Sequence, residues 1–207
     1  MSLHTWWLYL ITVFLLSATP GPNMLHVMTR SLHFGARRSV AAMAGCLSAL
    51  VTLLVASAVG LAAVFAAFPA AFDVLRYAGV VYLVYLGIKS WRDTSGPAYH
   101  DDERVAPALT PAQLFRGGYL VGVSNPKAIL FAAAFLPQFI DSSLPQRPQF
   151  TILIATLALT DTFWYVIYSA GGQTLSRYLV RPSLKRAVDR VTGSVFIGFG
   201  LALLRVR

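Results

Sequence analysis

SVAAMAGCLSALVTLLVASAVGLAAVFAA, residues 39–67, runs for 29 residues without a charged side chain. As a helix it would rise about 43 Å, more than the ~30 Å hydrocarbon core of a bilayer. Two further stretches behave alike: Thr151–Ala170 carries only Asp161, and Val191–Leu204 carries no charge. Across all 207 residues, 57% are hydrophobic and 12% charged, far from the balance of a soluble domain. A chain in lipid must satisfy its backbone internally, and long apolar blocks do so as helices. The fold class expected is an all-α integral membrane protein.

The formal charge is +9, which raises the question of nucleic-acid binding. The Arg and Lys residues, however, sit in short connectors between apolar blocks, with no basic stripe interleaved with aromatics. Their plainer meaning is membrane orientation. The single cysteine, Cys46, lies inside an apolar block, so neither an internal disulfide nor a CxxC relay is available. The first block, Trp6–Ala18, has no Lys or Arg before it, and Pro20 and Pro22 stand where a cleavage site would need small residues. It reads as a retained span.

Six spans fit the apolar pattern: about 4–29, 39–66, 74–91, 113–136, 150–170 and 188–206. The first is broken near 20–23 and the fourth near 125–127. A polar stretch, 92–112, with Pro97, Pro107, Pro111 and the acidic run Asp101, Asp102, Glu103, separates residues 1–91 from 113–207. Counting Lys and Arg in alternate connectors gives twelve on one side and four on the other, with Lys127 left inside the fourth span. The positive-inside rule then makes 92–112 a cytoplasmic linker and puts both termini outside.

The halves resemble one another. Pro22 and Pro126 lie 104 residues apart, each interrupting the first span of its half. The third and sixth spans open alike, as Arg76-x-x-Gly79-x-x-Tyr82 and Arg190-x-x-Gly193-x-x-Phe196. Three spans per half is an odd number, so the second half must insert upside down relative to the first. The expectation is two inverted three-helix repeats, the arrangement of many secondary transporters.

The chemistry concentrates at three places. In Thr19-Pro20-Gly21-Pro22-Asn23, two prolines remove backbone donors and clash with the preceding turn, and Gly21 loosens the backbone. Carbonyls released there need protein or a watery cavity, and half-helix ends attract carboxylate and ammonium groups. Ser124-Asn125-Pro126-Lys127 repeats the break in the second half. Lys127 lies eleven residues beyond Arg116, at a depth where a charge costs ~2.5–3.5 kcal/mol on insertion scales. It would meet a substrate or coupling carboxylate, or else snorkel outward or cap freed carbonyls. Asp161 stands mid-span, with Tyr165 and Tyr168 on the same helix face at i+4 and i+7. An intramembrane carboxylate is a candidate proton carrier, or a structural partner of Lys127 or a tyrosine.

Other features read as structural. His26 and His33 are polar groups near a span end rather than a metal pair. Ala41, Gly45 and Ala49 form a small-xxx-small face for close helix packing. Gly79, Gly87, Gly193, Gly198 and Gly200 serve the same end, and Trp6, Trp7, Tyr9 and Trp91 read as interfacial anchors.

Taken together, Pro20-Gly21-Pro22-Asn23-Met24 with Thr29-Arg30-Ser31 and Gly35, then Asn125-Pro126-Lys127 with Phe135-Leu136-Pro137-Gln138-Phe139, resemble the LysE/RhtB family of bacterial amino-acid exporters. Asp161 with Tyr168 and the closing Gly193–Gly198 stretch are also similar to the family pattern, so the likeness covers essentially the whole chain. The tone is nearer the homoserine/threonine-type members than those for basic amino acids. The resemblance implies export of small amino acids or their derivatives across the inner membrane, drawing on the proton motive force.

The expected partners are thus an amino acid, protons and the lipid bilayer, with no nucleic acid, cofactor or metal. The oligomeric state stays open, a homodimer included. The expected site is Pro20, Gly21, Pro22, Asn23, Ser124, Asn125, Pro126, Lys127, Asp161, Tyr165 and Tyr168. The rival reading is a passive channel or ion permease. A membrane-embedded enzyme would want a nucleophile–base set, which Ser124, His26 and Asp161 do not supply.

Overall fold

The computed structural model describes residues 1–67, 109–141 and 143–172, and single positions between 77 and 92 and between 183 and 201, apart from the side chains at 61–67, 130 and 134. Most of the expected third and sixth spans, the acidic run Asp101, Asp102, Glu103, and the repeat positions Arg76, Gly79, Tyr82 and Phe196 lie outside the described residues.

Every regular element among the described residues is helical. Helix α1 covers Leu3–Ala18 and starts at Ser2, whose hydroxyl accepts from the Thr5 amide. Helix α2, Pro22–Phe34, begins with proline at a position whose N–H would have no helical partner anyway. Helix α3, Ala36–Ala67, is 32 residues long. Helix α4, Pro111–Val123, opens with a reciprocal cap between Thr110 and Gln113. The short α5, Pro126–Leu130, starts at Asn125, then widens into a π turn (Phe131–Phe135) and tightens into a 3-10 turn (Leu136–Phe139). Helix α6 is Gln146–Ala170.

Ala36–Gly60 and Gln146–Ala170 are each long and apolar enough to cross a membrane. The count rises to four if each bent pair forms one span: α1 with α2, bent by 49°, and α4 with the segment Pro126–Phe139, bent by 56°. Both α3 and α6 start a few residues before the apolar stretch read from sequence. Arg37, Arg38 and Arg147 occupy those first turns, where a helix continues into water without needing apolar side chains. The exposed side chains fit a lipid surround: Leu8, Ile11 and Leu15 on α1, and Leu159, Phe163 and Val166 on α6, all face outward.

The interior has two apolar clusters. In one, Tyr9 packs against Phe131, Phe135 and Phe139, with Val13, Leu50, Leu54 and Leu153 around them. The other gathers Met24, Val27, Met28, Cys46, Tyr165 and Tyr168. Tyr9 is therefore not the interfacial anchor expected. It is 0% exposed, and its hydroxyl donates to the Leu153 carbonyl at 3.0 Å, because its side of α1 faces α6 and the π turn. Trp7 and Trp91 remain about half exposed. Where the stretches expected as third and sixth spans are described they touch: Trp91 Nε1 donates to Ser194 Oγ at 3.2 Å.

Helices α3 and α4 meet backbone to backbone. A Cβ on Gly118 would fall 2.2 Å from the Ala42 carbonyl oxygen, and one on Gly122 would fall 2.4 Å from Ala49 Cβ. Of the small-residue face expected on α3, Gly45 and Ala49 lie in this contact, beside Ala42 and Cys46, and the partner surface is Gly118 and Gly122 on α4. Between α2 and α3 a single residue makes the corner. Gly35 has φ +79° and ψ 156°, a region essentially closed to other residues. Gly35→Ala is expected to lower stability by about 1–3 kcal/mol, read as a fall in melting temperature of the purified protein in detergent.

A buried glutamine closes the far end of the second break. Gln149 Nε2 donates to the carbonyls of Asp141, Leu144 and Pro145, while its Oε1 accepts from the Asp141 amide. Within the same loop the Ser143 hydroxyl (2.6 Å) and amide (3.0 Å) donate to Asp141 Oδ1, which holds this exposed carboxyl below its ordinary pKa.

Candidate functional site

The backbone stops being helical after Ala18 and resumes at Pro22, so the last carbonyls of α1 lose their intrahelical partners. Two of them, at Leu16 and Ala18, have found others. The Thr19 hydroxyl donates to the Leu16 carbonyl at 2.6 Å, and the Tyr168 hydroxyl reaches across from α6 to the Ala18 carbonyl at 2.8 Å. Lys127 arrives from the second break. Its Nζ donates to the Leu16 carbonyl at 2.6 Å, to Thr19 Oγ1 at 2.7 Å and more loosely to the Thr19 carbonyl at 3.4 Å. The cation thus sits on the negative end of the α1 dipole. Of the roles open to Lys127 from sequence, capping freed carbonyls is the one its geometry shows.

The two breaks are also joined by their asparagines. Asn125 caps α5 by accepting from the Lys127 amide at 3.0 Å, and its Nδ2 donates to Asn23 Oδ1 at 2.9 Å. Asn23 Nδ2 donates in turn to the Tyr165 hydroxyl at 3.2 Å, and Tyr165 donates to Asp161 Oδ2 at 3.5 Å. Asp161 Oδ1 accepts from the Ser17 hydroxyl on α1. One line of hydrogen bonds therefore runs from the second break through the first to the carboxyl of α6 and back to α1. Asn23, Asn125 and Asp161 are 5%, 4% and 9% exposed, so each polar group would be costly if unpaired.

Gly21, Asn23, Asn125, Lys127 and Asp161 line one cavity, with Ser17 beside them and Leu16, Leu50, Phe131 and Leu157 as apolar walls. Its volume is about 40 Å³, room for about three waters and not for an amino acid. The cavity lies between the two apolar clusters, since Leu16, Leu50, Phe131 and Leu157 belong to one and Met24 to the other. Lys127 and Asp161 both face it without forming an ion pair among the described residues.

The remaining expected site residues do not line the cavity. Pro22, Ser124 and Pro126 are exposed, and Pro20 is partly so. The prolines act on the backbone by ending and restarting helices. Tyr165 and Tyr168 act through their hydroxyls, one in the polar line and one on the Ala18 carbonyl. Gly21 has φ −134° and ψ 177°, extended backbone that any residue adopts, so its expected special freedom is not used. Its lack of a side chain leaves the surface over which the Lys127 stem lies: a Cβ there would be 3.6 Å from Lys127 Cδ. Ser17 and Thr19 were missed as site residues; the cue is their position in the last turn before a proline break. His26 packs toward Gly117 on α4 and not into the cavity.

Comparison with known proteins places the chain in a family. A family model described as "LysE type translocator" matches residues 14–207. A homoserine/homoserine lactone efflux protein of Salmonella typhimurium is 34% identical over 207 residues, covering 100% of this chain and 99% of its own. Its Salmonella typhi counterpart, with the same name, is 33% identical over the same coverage. A protein of Vibrio cholerae named "Uncharacterized membrane protein" is 33% identical, covering 98% of each chain. No solved structure matches. A family model spanning nearly the whole chain, and relatives matched end to end, agree with the resemblance read from sequence: the chain belongs to the LysE family of membrane translocators.

Proposed function

We propose that this protein exports small amino acids or their derivatives from the bacterial cell by proton antiport with alternating access. The observation that carries the reading is the line Asn125–Asn23–Tyr165–Asp161–Ser17, which ties both helix breaks and the carboxyl of Asp161 to a shared cavity. Paired broken helices around a polar centre are how many secondary transporters place substrate and coupling ion side by side. The names of the two Salmonella relatives point to homoserine and its lactone as the first substrates to try. A lactone has no free carboxylate but keeps the ammonium of the amino acid, so the amine is the group both share.

In this reading the chain crosses the inner membrane six times as two inverted repeats, 1–91 and 113–207, joined by a cytoplasmic linker at 92–112. Both termini face outward. Pro20–Asn23 and Ser124–Lys127 form the two breaks, and Asp161, Tyr165 and Tyr168 supply the facing helix. The substrate ammonium lies toward freed carbonyls or Asp161, and any carboxylate toward Lys127 or the uncapped amides that start α2. Asp161 exchanges the proton. At about 40 Å³ the cavity is too small for the cargo, and substrate entry requires it to widen. Whether the protein works singly or as a homodimer does not alter this site.

The test uses vesicles loaded with labelled homoserine and given an inward proton gradient. Wild type is expected to release label when the gradient is imposed and not when it is collapsed. Asn125→Leu, which cuts the link between the breaks, is expected to slow release by about tenfold or more, a loss of ~1.4 kcal/mol in the barrier. Release indifferent to the gradient removes proton coupling, and no release of any amino acid removes the reading.

A further inference from the structure

The nest that holds Lys127 is a complete seat for a primary ammonium. Three oxygens converge on its Nζ: the Leu16 carbonyl, Thr19 Oγ1 and the Thr19 carbonyl. A primary ammonium has three donors and no acceptor. All three acceptors belong to the end of α1, and none comes from Lys127's own half of the chain. The seat therefore exists independently of the lysine that occupies it. It borders the cavity, since Leu16 and Lys127 both line it. Thr19 is held for the purpose: its hydroxyl proton is spent on the Leu16 carbonyl, which leaves its lone pairs for the cation.

We infer that Lys127 is a tethered stand-in for substrate: its ammonium fills, in the empty transporter, the same oxygen nest that receives the amine of the cargo. The inference rests on the export reading above and adds to it a competitor built into the chain. An arriving amine takes the three acceptors, and the displaced Nζ turns into the cavity, toward Asp161 and any carboxylate of the cargo. When the cargo leaves, Lys127 returns and again satisfies the α1 carbonyls. The carrier can then reset without leaving the Thr19 carbonyl bare at membrane depth, where it would carry a desolvation penalty. The same geometry sets specificity, because methylating the amine removes donors that the three oxygens require.

Lys127→Met and Lys127→Gln test this, the second keeping an amide donor for the carbonyls without the charge. With labelled homoserine in vesicles, the stand-in role predicts that Lys127→Met exchanges substrate with a KM lower by about tenfold, as expected if the nest is free only about a tenth of the time in wild type. Net release, which needs the empty carrier to reset, falls by a similar factor, and methylammonium restores it. A second readout needs no transport: methylammonium raises the melting temperature of purified Lys127→Met at about a tenth of the concentration that wild type needs, because in wild type the nest is free only about a tenth of the time. A KM that rises or stays constant in both variants overturns the inference, as does a melting temperature of Lys127→Met indifferent to methylammonium. Failure to recover either variant folded makes Lys127 a structural cap and also overturns it. Should wild type carry no amino acid at all, the export reading falls, while the melting experiment still decides whether the nest binds an amine.

Discussion

Asp161→Asn is expected to slow proton-driven release by about a hundredfold, ~2.7 kcal/mol in the barrier, while substrate exchange continues. The two side chains have the same shape, so the apolar walls around position 161 are undisturbed. The amide oxygen still accepts from Ser17, which sets the position of the side chain against α1. What the amide lacks is a group that takes up and releases a proton. Among the described residues Asp161 is the only acid lining the cavity, and it joins α1 through Ser17 and the asparagine pair through Tyr165. Vesicles compared with and without a proton gradient separate the two activities. Equal gradient-driven rates in variant and wild type would take Asp161 out of the coupling step. Loss of exchange and gradient-driven release together would make it part of the substrate seat instead.

Gly118→Leu has the largest effect expected on the fold itself. Even a methyl group at this position would lie 2.2 Å from the Ala42 carbonyl and 3.1 Å from the Cys46 amide nitrogen. Both are backbone atoms of α3, and neither can turn aside as a side-chain tip can. Gly45, from the opposite helix, is as tight, with a Cβ 2.1 Å from the Phe115 carbonyl. Substitution at either position must push α3 and α4 apart along the length of their contact. Overpacking of this kind costs about 3 kcal/mol or more, a large share of a typical domain's stability. Gly60→Ala is the matched control: it lies on α3 like Gly45, with nothing among the described residues within 4 Å of its Cβ, and alanine is the better helix former. Melting temperatures in detergent should fall steeply for Gly118→Leu and Gly45→Ala and hold for Gly60→Ala. A Gly118→Leu protein as stable as wild type would show that the contact yields.

Much of this was legible in the chain because breaks and charges at membrane depth are local signals. Pro20, Pro22 and Pro126 announce where helices stop, and the structure ends α1 at Ala18 and restarts at Pro22 and Pro126. Asp161 stands out in a stretch otherwise free of charge, and Tyr165 and Tyr168 follow it by helical spacing alone. What lay beyond reach depended on which elements meet. Lys127 had three roles open to it until α5 was seen beside the end of α1. Ser17 looks like any hydroxyl in an apolar helix and Thr19 only like the lead-in to a break, and the partners facing them give both their work. Tyr9 was misread for a related reason. Its neighbours Trp6 and Trp7 suggest a membrane surface, yet one step further round the helix the side chain points inward. Gly118 and Gly122 were passed over because a small residue means little until the opposing helix is known.

The corner at Gly35 has a mechanical result. One residue separates α2 from α3, so the half-helix beyond the first break cannot tilt without dragging the long helix by its end. The long helix is meshed through its glycines with α4, and α4 runs directly into the second break at Asn125. A pull applied at residues 19–21 therefore travels along a stiff rod and is delivered a hundred residues away in the chain, at the point where Lys127 is anchored. Helices α2, α3 and α4 are geared together, and none of the three swings alone.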